Sequence, residues 1–374
     1  MQTGKFKLAE NKQDKIKVAV IFGTRPEAIK LFPVINELKA RNFDPIVIST
    51  GQQRDLLLMT LESLKLVPDI SLELMHPNPT NTSFMETCIS HLNNRIKNEK
   101  IAFVIVQGDT FSAAAGAITG YLNQIPVGHV EAGLRSNNLY SPWPEEGLRR
   151  IIDGISNLLW APTSRDLVPV HSDQKIHVVG NTVADALRLI VDRNKTTQNG
   201  SGPIVVTLHR RESFGDTMIS ALNNLVVLSE NMDREVIFLQ HPNPMVADAI
   251  AKSDLSKSNI KVISPLPYVE FMQLISRSSL LITDSGGLQE ESSILNIPTI
   301  VLRDTTERLD ALEENRSFLS PPDGSRLEAD SKRLLENFKY ESSGKSSAFG
   351  EGFSSTKIVD DLESWLAGEL SEHS

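Results

Sequence analysis

Asp109, in VQGDT (106–110), and Glu131, in GHVEAG (128–133), each follow directly on a run of apolar residues. A carboxylate at the rim of a buried strand is costly unless it is paired or hydrogen-bonded. Two at neighbouring strand ends suggest one site in which their proton affinities are pushed apart, as acid–base chemistry requires. The competing explanation is that each caps the helix that follows, a common role for Asp and a rarer one for Glu. That asymmetry favours chemistry, more for Glu131 than for Asp109. YSPWPEEGLRR (140–150) adds Glu145 and Glu146 behind Pro-Trp-Pro, followed by Arg149 and Arg150. Here the structural explanation is ready-made: Pro144 suits the first helical position, and acids in the first turn offset the helix dipole.

Cations and backbone amides suited to phosphate form a second group. FGTRPEAIK (22–30) offers Arg25 and Lys30 around the first strand–helix turn, where a diphosphate would sit in a nucleotide-binding domain. A charge pair on a solvated face is the commoner origin of such residues. VTLHRRES (206–213) places His209 at a strand end beside Arg210 and Arg211, a candidate for phosphate binding or proton transfer. QHPNP (240–244) and RDTTER (303–308) add His241 and Arg308 at further strand ends. In TDSGGLQEESS (283–293), Ser285, Gly286 and Gly287 would expose amides at a helix N-terminus, an anion site. The segment is neither a Walker A loop nor G-x-G-x-x-G, which counts against NTPase and dinucleotide chemistry. Glu290 and Glu291, one turn in, are placed to reach ribose hydroxyls, although a plain Gly-rich turn with dipole-compensating acids would look the same. Asn296 reads as a left-handed helix cap. The histidines and carboxylates show no zinc-ligand spacing, so no metal is expected.

The elements that must carry these residues alternate along the chain. IKVAVIFG (16–23) is apolar almost throughout, as for a strand buried on both faces of a parallel sheet. Helices over 26–42, near 53–65, 81–98, 111–122 and 144–157 alternate with strands at 44–50, 102–108, 126–131 and 158–163. That is the signature of a doubly wound α/β domain. VDRNKTTQNGSG (191–202) reads as a linker, after which strands at 203–208, 234–240, 260–266, 279–284 and 298–302 restart the pattern. The expectation is an N-terminal domain over 16–190, a second over 203–350 and an amphipathic helix over 354–370. Two such domains imply a cleft, and ligands of open α/β sheets sit beyond the carboxyl ends of the strands.

Composition narrows the partners. With 40% hydrophobic and 23% charged residues the chain is ordinary globular protein, and a net charge of −9 argues against nucleic acid or an anionic membrane. Cys88 alone excludes an internal disulfide or thiolate cluster. The polar N-terminus does not read as a signal peptide, and no apolar run approaches the roughly 18 residues of a membrane span. A soluble cytoplasmic protein is expected.

Taken in order, FGTRPEAIK, GDT, GHVEAGLRS, YSPWPEE, GNTVADAL, HRRES, HPNP, TDSGGLQEE and RDTTER resemble the non-hydrolysing UDP-N-acetylglucosamine 2-epimerases over about residues 16–360. The resemblance implies the GT-B architecture: two Rossmann-like domains, a deep interdomain cleft and a C-terminal helix crossing back to the first domain. It implies interconversion of UDP-GlcNAc and UDP-ManNAc by elimination of UDP to 2-acetamidoglucal and re-addition. By the same resemblance Asp109, Glu131 and Glu145 are catalytic carboxylates and His209 a catalytic histidine. Arg25, Lys30, Arg149 and Arg308 then lie near the diphosphate and sugar, Ser285, Gly286 and Gly287 form the phosphate loop, Glu291 meets the ribose, and Phe271 lies beside uracil. Of the adjacent pair, Glu145 is expected to face the cleft with Arg149 on its side of the helix, and Glu146 to serve helix electrostatics. No metal or nicotinamide is implied, and a homodimer is usual.

The sequence departs from the family at several points. Gln53 and Asp55 stand where His and Glu or Gln are common, and Leu57 where Met is; many members bind an activating second UDP-GlcNAc near this segment. Leu148 replaces a common Asn, Leu309-Asp310 a Pro-Glu, ENRSFLSPPDGS a Gly-containing segment, and AFGEG a Tyr-Gly-Asp-Gly. Rival functions are a hydrolysing epimerase releasing ManNAc, an epimerase for a C4-epimeric sugar such as UDP-GalNAc, a GT-B glycosyltransferase, and a silent nucleotide-sugar sensor. Hydrolysing relatives usually lack PWPEE and TTER, a glycosyltransferase needs no cluster of three carboxylates, and a sensor has no reason to keep proton-transfer groups.

Overall fold

The computed structural model describes residues 15–74, 80–167, 171–191, 200–306, 312, 316–338 and 350–372. Two compact units emerge: one from the residues up to Ala186 together with those from Gly350 onward, the other Leu187–Phe349.

In the first unit the elements run β1 (Ile16–Phe22), α1 (Arg25–Ala40), β2 (Phe43–Ser49), α2 (Arg54–Leu64), β3 (Ile70–Ser71), α3 (Asn81–Glu99), β4 (Phe103–Gln107), α4 (Phe111–Leu122), β5 (Val127–Val130), α5 (Glu145–Ile155), β6 (Leu158–Ala161) and β7 (Lys175–Val178), with α6 (Thr182–Ile190) crossing the boundary. The sheet is parallel, in the order β3-β2-β1-β4-β5-β6-β7. Val18–Phe22 and Phe103–Val106 are fully buried, which is why these strands read as unbroken apolar runs. α4 packs close over them because its facing residues are Ala and Gly. A Cβ added at Gly116 would come within 2.9 Å of Val106 Cγ1. Gly128 likewise lies beneath Trp160, whose ring would meet an added Cβ at 2.4 Å.

The second unit repeats the winding with β8 (Ile204–Thr207), α7 (Asp216–Asn231), β9 (Val236–Leu239), α8 (Pro244–Lys252), β10 (Lys261–Ile263), α9 (Tyr268–Ile275), β11 (Leu280–Thr283), α10 (Gly286–Ile294), β12 (Thr299–Leu302), β13 (Ser317–Ser320) and α11 (Leu327–Asn337). Its parallel order is β10-β9-β8-β11-β12-β13, the Rossmann sequence 3-2-1-4-5-6. α10 ends in a Schellman motif: Ile297 N–H donates to Ser292 O, Asn296 N–H donates to Ser293 O, and Asn296 adopts φ +57°.

The last helix, α12 (Ser354–Glu372), belongs to the first unit. Ile358, Val359 and Leu362 are buried, and Trp365 meets the ring of Phe103 edge-on at 5.6 Å. Asp361 accepts from Trp160 Nε1 at 2.7 Å, and Asp185 caps the helix start by accepting the N–H groups of Ser354 and Ser355.

Three strands escape the periodicity reading. β3 has two residues, β7 is a largely exposed edge strand, and β13 carries only Phe318 and Leu319 as apolar residues within ENRSFLSPPDGS. Strands so short, at or near a sheet edge, hold their place by pairing with a neighbour and leave little local signal. Pro144 is also corrected. It is the N-cap of α5, its carbonyl accepting from Leu148 N–H at 3.1 Å, so Glu145 and Glu146 are the first two helical residues. Most of the linker, 192–199, lies outside the described residues, as do Arg308 and Leu309-Asp310. No described helix is long and apolar enough to cross a membrane.

Candidate functional site

At the carboxyl end of the first sheet, Asp109 follows β4 and meets the guanidinium of Arg149, whose Nη2 donates to its Oδ2. The other arm of Arg149 donates to Glu146 Oε2 at 2.8 Å and to Leu134 O at 3.3 Å. Glu146 is 0% exposed and also accepts from Arg150 Nε at 2.8 Å and Ser136 N–H at 3.0 Å. Burial alone would push its carboxyl up, but the hydrogen bonds from Ser136 and Arg150 and the Arg149 charge hold it below its usual range. Glu146 is therefore not surface helix electrostatics. It is a buried anchor that orients Arg149 toward Asp109.

Glu131 lies just past β5 with φ +66°, unusual for a residue that is neither Gly nor Asn. Its N–H and that of Ala132 both donate to Trp160 O, at 3.0 and 3.1 Å, which pins the turn. Its carboxylate is engaged by Lys30 Nζ at 2.5 Å and by Gln107 Nε2. Lys30, expected at a diphosphate, is thus in contact with a carboxylate, and Arg25 opens α1 five residues earlier. Glu145 opens α5 at i−4 from Arg149, on the same helix face, and its buried Oε2 has no hydrogen-bond partner among the described residues.

Behind these groups lies a buried framework. His129 Nε2 meets Gly108 O at 2.8 Å and its Nδ1 meets Asp153 Oδ1 at 2.6 Å, while Arg135 donates to Asp153 Oδ2 at 2.6 Å. This ties the residue before Asp109 to β5 and α5. Glu27, fully buried, accepts N–H bonds from Gly23 at 3.0 Å and Thr24 at 2.7 Å, and a bond from Thr110 Oγ1 at 2.6 Å. Burial outweighs these bonds and pushes its carboxyl from 4.5 up to about 7. The folded state therefore keeps a proton that the unfolded chain releases, and stability falls as pH rises. The contribution is fully present below about 4.5 and is lost through about 7, a total of roughly 3 kcal/mol. In Glu27→Gln, the drop in unfolding free energy between pH 4 and pH 8, read from urea titrations, should shrink by about that amount. An unchanged slope would remove Glu27 as its source.

In the second unit, His209 follows β8 with its ring stacked on His241 at 5.4 Å and 21°. Ser285 is the N-cap of α10, with Gly286 and Gly287 as its first two residues, so their amides belong to the helix end that has no internal acceptor. Arg303, past β12, lies alongside: a Cβ at Gly286 would come 3.9 Å from its Nη1. Glu291 is buried on α10 and accepts from Tyr268 Oη at 2.7 Å, while Phe271 lies one turn along α9 from that tyrosine. Thr306 donates to Gln289 Oε1 at 2.7 Å, which ties it to α10. Among the described residues, no group of three His, Cys, Asp or Glu side chains is placed to hold a metal ion.

Sequence reasoning did not single out Gln107, His129, Asp153, Glu27, Tyr268, Arg303 or Asp284. Gln107 and His129 sit inside segments that read as plain apolar strands. Asp284 ends a buried strand, so the rule applied to Asp109 would have found it.

The UDP-N-acetylglucosamine 2-epimerase family model matches residues 36–363. UDP-N-acetylglucosamine 2-epimerase of Bacillus subtilis is 36% identical over 370 residues, covering 93% of this chain and 95% of the relative. The crystal structure of the UDP-GlcNAc 2-epimerase from Neisseria meningitidis bound to UDP-GlcNAc matches with a TM-score of 0.80 at 34% identity, covering 93% of this chain and 100% of that one. The Methanocaldococcus jannaschii UDP-GlcNAc 2-epimerase, in complex with UDP-GlcNAc and UDP, matches with a TM-score of 0.71 at 32% identity over 93% of this chain and 99% of that one. The two parallel Rossmann-like sheets share the GT-B architecture of these structures.

Proposed function

This chain belongs to the UDP-N-acetylglucosamine 2-epimerase family, and from that premise we propose that it interconverts UDP-GlcNAc and UDP-ManNAc without net hydrolysis. The observation that carries the reading is the set of three carboxylates at the carboxyl end of one sheet, Asp109 and Glu131 already held by cations. One carboxylate takes the proton from C2 of the sugar as the C1–O bond to UDP breaks, and the electron pair of the C–H bond becomes the C1=C2 double bond of 2-acetamidoglucal. Protonation of C2 from the opposite face, with re-formation of the C1–O bond by the UDP oxygen, completes the inversion. Positioned acid–base groups of this kind contribute about 10²–10⁴-fold each.

The second unit supplies what the leaving diphosphate needs. Helix-end amides at Ser285, Gly286 and Gly287 with Arg303 offset the charge that develops on it. Glu291 addresses the ribose and Phe271 the uracil, with His209 as the acid–base group of this unit. Arg25 and Arg308 complete the phosphate and sugar contacts. UDP-GlcNAc is named in the Neisseria and Methanocaldococcus complexes, and the family assignment extends that substrate to this chain. A homodimer is the assembly expected.

Incubation with UDP-GlcNAc in D₂O is expected to give UDP-GlcNAc and UDP-ManNAc both deuterated at C2, read by proton NMR. Accumulation of free ManNAc and UDP would replace this reading with hydrolysis. UDP binding without exchange would replace it with a sensor.

A further inference from the structure

Asp284 is 1% exposed at the end of β11, next to β8 in the sheet through the register Thr283↔Thr207. From there its carboxylate reaches the first residues beyond the neighbouring strand. Oδ2 accepts the backbone N–H of both His209 and Arg210, each at 2.8 Å. Oδ1 is also buried, and His209 Nδ1 lies 2.9 Å from it. That contact is short in distance but fails as an aligned hydrogen bond, and Oδ1 has no other partner among the described residues. Catalytic hydrogen bonds are often poorly aligned before substrate binds and tighten in the complex. The imidazole is otherwise 36% exposed along its side chain and rests flat on His241.

We propose that Asp284 is a positioning residue for His209, holding the proton of the neutral ring on Nδ1 and leaving Nε2 as the atom that exchanges a proton during the reaction. The reason is donor arithmetic. An ionised carboxylate can only accept, so the ring nitrogen facing it must carry hydrogen. A neutral imidazole then has its lone pair on the other nitrogen, and a buried anion behind Nδ1 also stabilises the imidazolium formed when Nε2 takes up a proton. The two backbone bonds to Oδ2 fix where the carboxylate sits, so His209 inherits its position from the sheet instead of from a mobile loop. Stacking on His241 restrains the remaining freedom, rotation of the ring out of its plane.

The catalytic purpose of this pairing rests on the epimerase reading, whereas the tautomer can be read without it. In Asp284→Asn the amide oxygen still accepts the two backbone N–H groups while the NH₂ faces Nδ1. The ring should then switch from Nδ1–H to Nε2–H, seen in the ¹⁵N–¹H correlation pattern of the His209 ring. C2 exchange should fall about 100-fold or more at saturating UDP-GlcNAc, with UDP affinity within about twofold of wild type. In a His209→Gln background the same substitution should cost little more, because the two residues act as one unit. An Nε2–H tautomer in the wild-type protein overturns the proposal, even if Asp284→Asn fails to fold. So does wild-type turnover in folded Asp284→Asn. A wild-type chain that keeps the Nδ1–H ring pattern yet shows no C2 exchange would count against the epimerase reading and for the Asp284–His209 pairing.

Discussion

Glu131→Gln is expected to lower C2 hydrogen exchange by about 10³-fold or more while leaving UDP affinity within about twofold. The substitution is nearly isosteric, so the φ +66° turn, pinned by the two N–H bonds to Trp160 O, should survive. What is lost is the anion that can accept a proton from C2 or return one. Glu131 is well placed for this in its own unit, being held between Lys30 and Gln107. Those two donors keep its carboxylate aimed. The diphosphate contacts proposed for the second unit do not include this residue, which is why UDP affinity should be nearly untouched. Deuterium incorporation followed by proton NMR, alongside calorimetric titration with UDP, reads both quantities. Exchange at the wild-type rate in the variant would show that Glu131 is not a proton-transfer group. Exchange lost together with UDP affinity would place its role in binding.

Glu146→Ala should destabilise the fold by about 3–5 kcal/mol, the range found when one member of a buried ion pair is removed. If Glu146 only offset the helix dipole, the loss would be about 0.3–1 kcal/mol. The two explanations are therefore separated by magnitude. The larger figure follows from a side chain that is 0% exposed and holds Arg149, Arg150 and the Ser136 N–H at once. Truncation would leave the Ser136 N–H without its acceptor and the Nη1 arm of Arg149 with Leu134 O alone, and it would loosen the arginine that Asp109 depends on. Arg150→Ala is the matched control. That side chain is 45% exposed, so its loss should cost no more than about 1 kcal/mol. Urea-unfolding free energies of the three proteins make the test, and a loss for Glu146→Ala no larger than the control would restore the dipole explanation.

Strand–helix alternation was legible from residue patterns alone, because strands covered on both faces must be apolar along their whole length, as Val18–Phe22 and Phe103–Val106 are. The positions of Asp109, Glu131, His209 and the Ser285-Gly286-Gly287 turn were legible for the same reason. A polar residue at the end of such a strand can avoid an unpaired buried charge only by finding a partner or a ligand. Asn296 was legible because few side chains tolerate its backbone conformation. β3, β7 and β13 were not, since two to four residues at or near an edge carry little periodicity of their own.

Which residues touch was decided by tertiary structure. Glu145 and Glu146 are neighbours in sequence and look interchangeable, yet the second is buried against two arginines while the first keeps a buried oxygen without a partner among the described residues. Only the way α5 lies against the segment from Leu134 to Ser136 makes them differ. Lys30 and Glu131 are 101 residues apart and Asp284 and His209 75 apart, and each pair meets because parallel strands bring their carboxyl ends into one row. Sequence by itself determined which residue types stand at the strand ends, because burial of the strand interiors leaves local composition little choice. Their pairing was left to the strand order, a long-range property that no window of neighbouring residues contains.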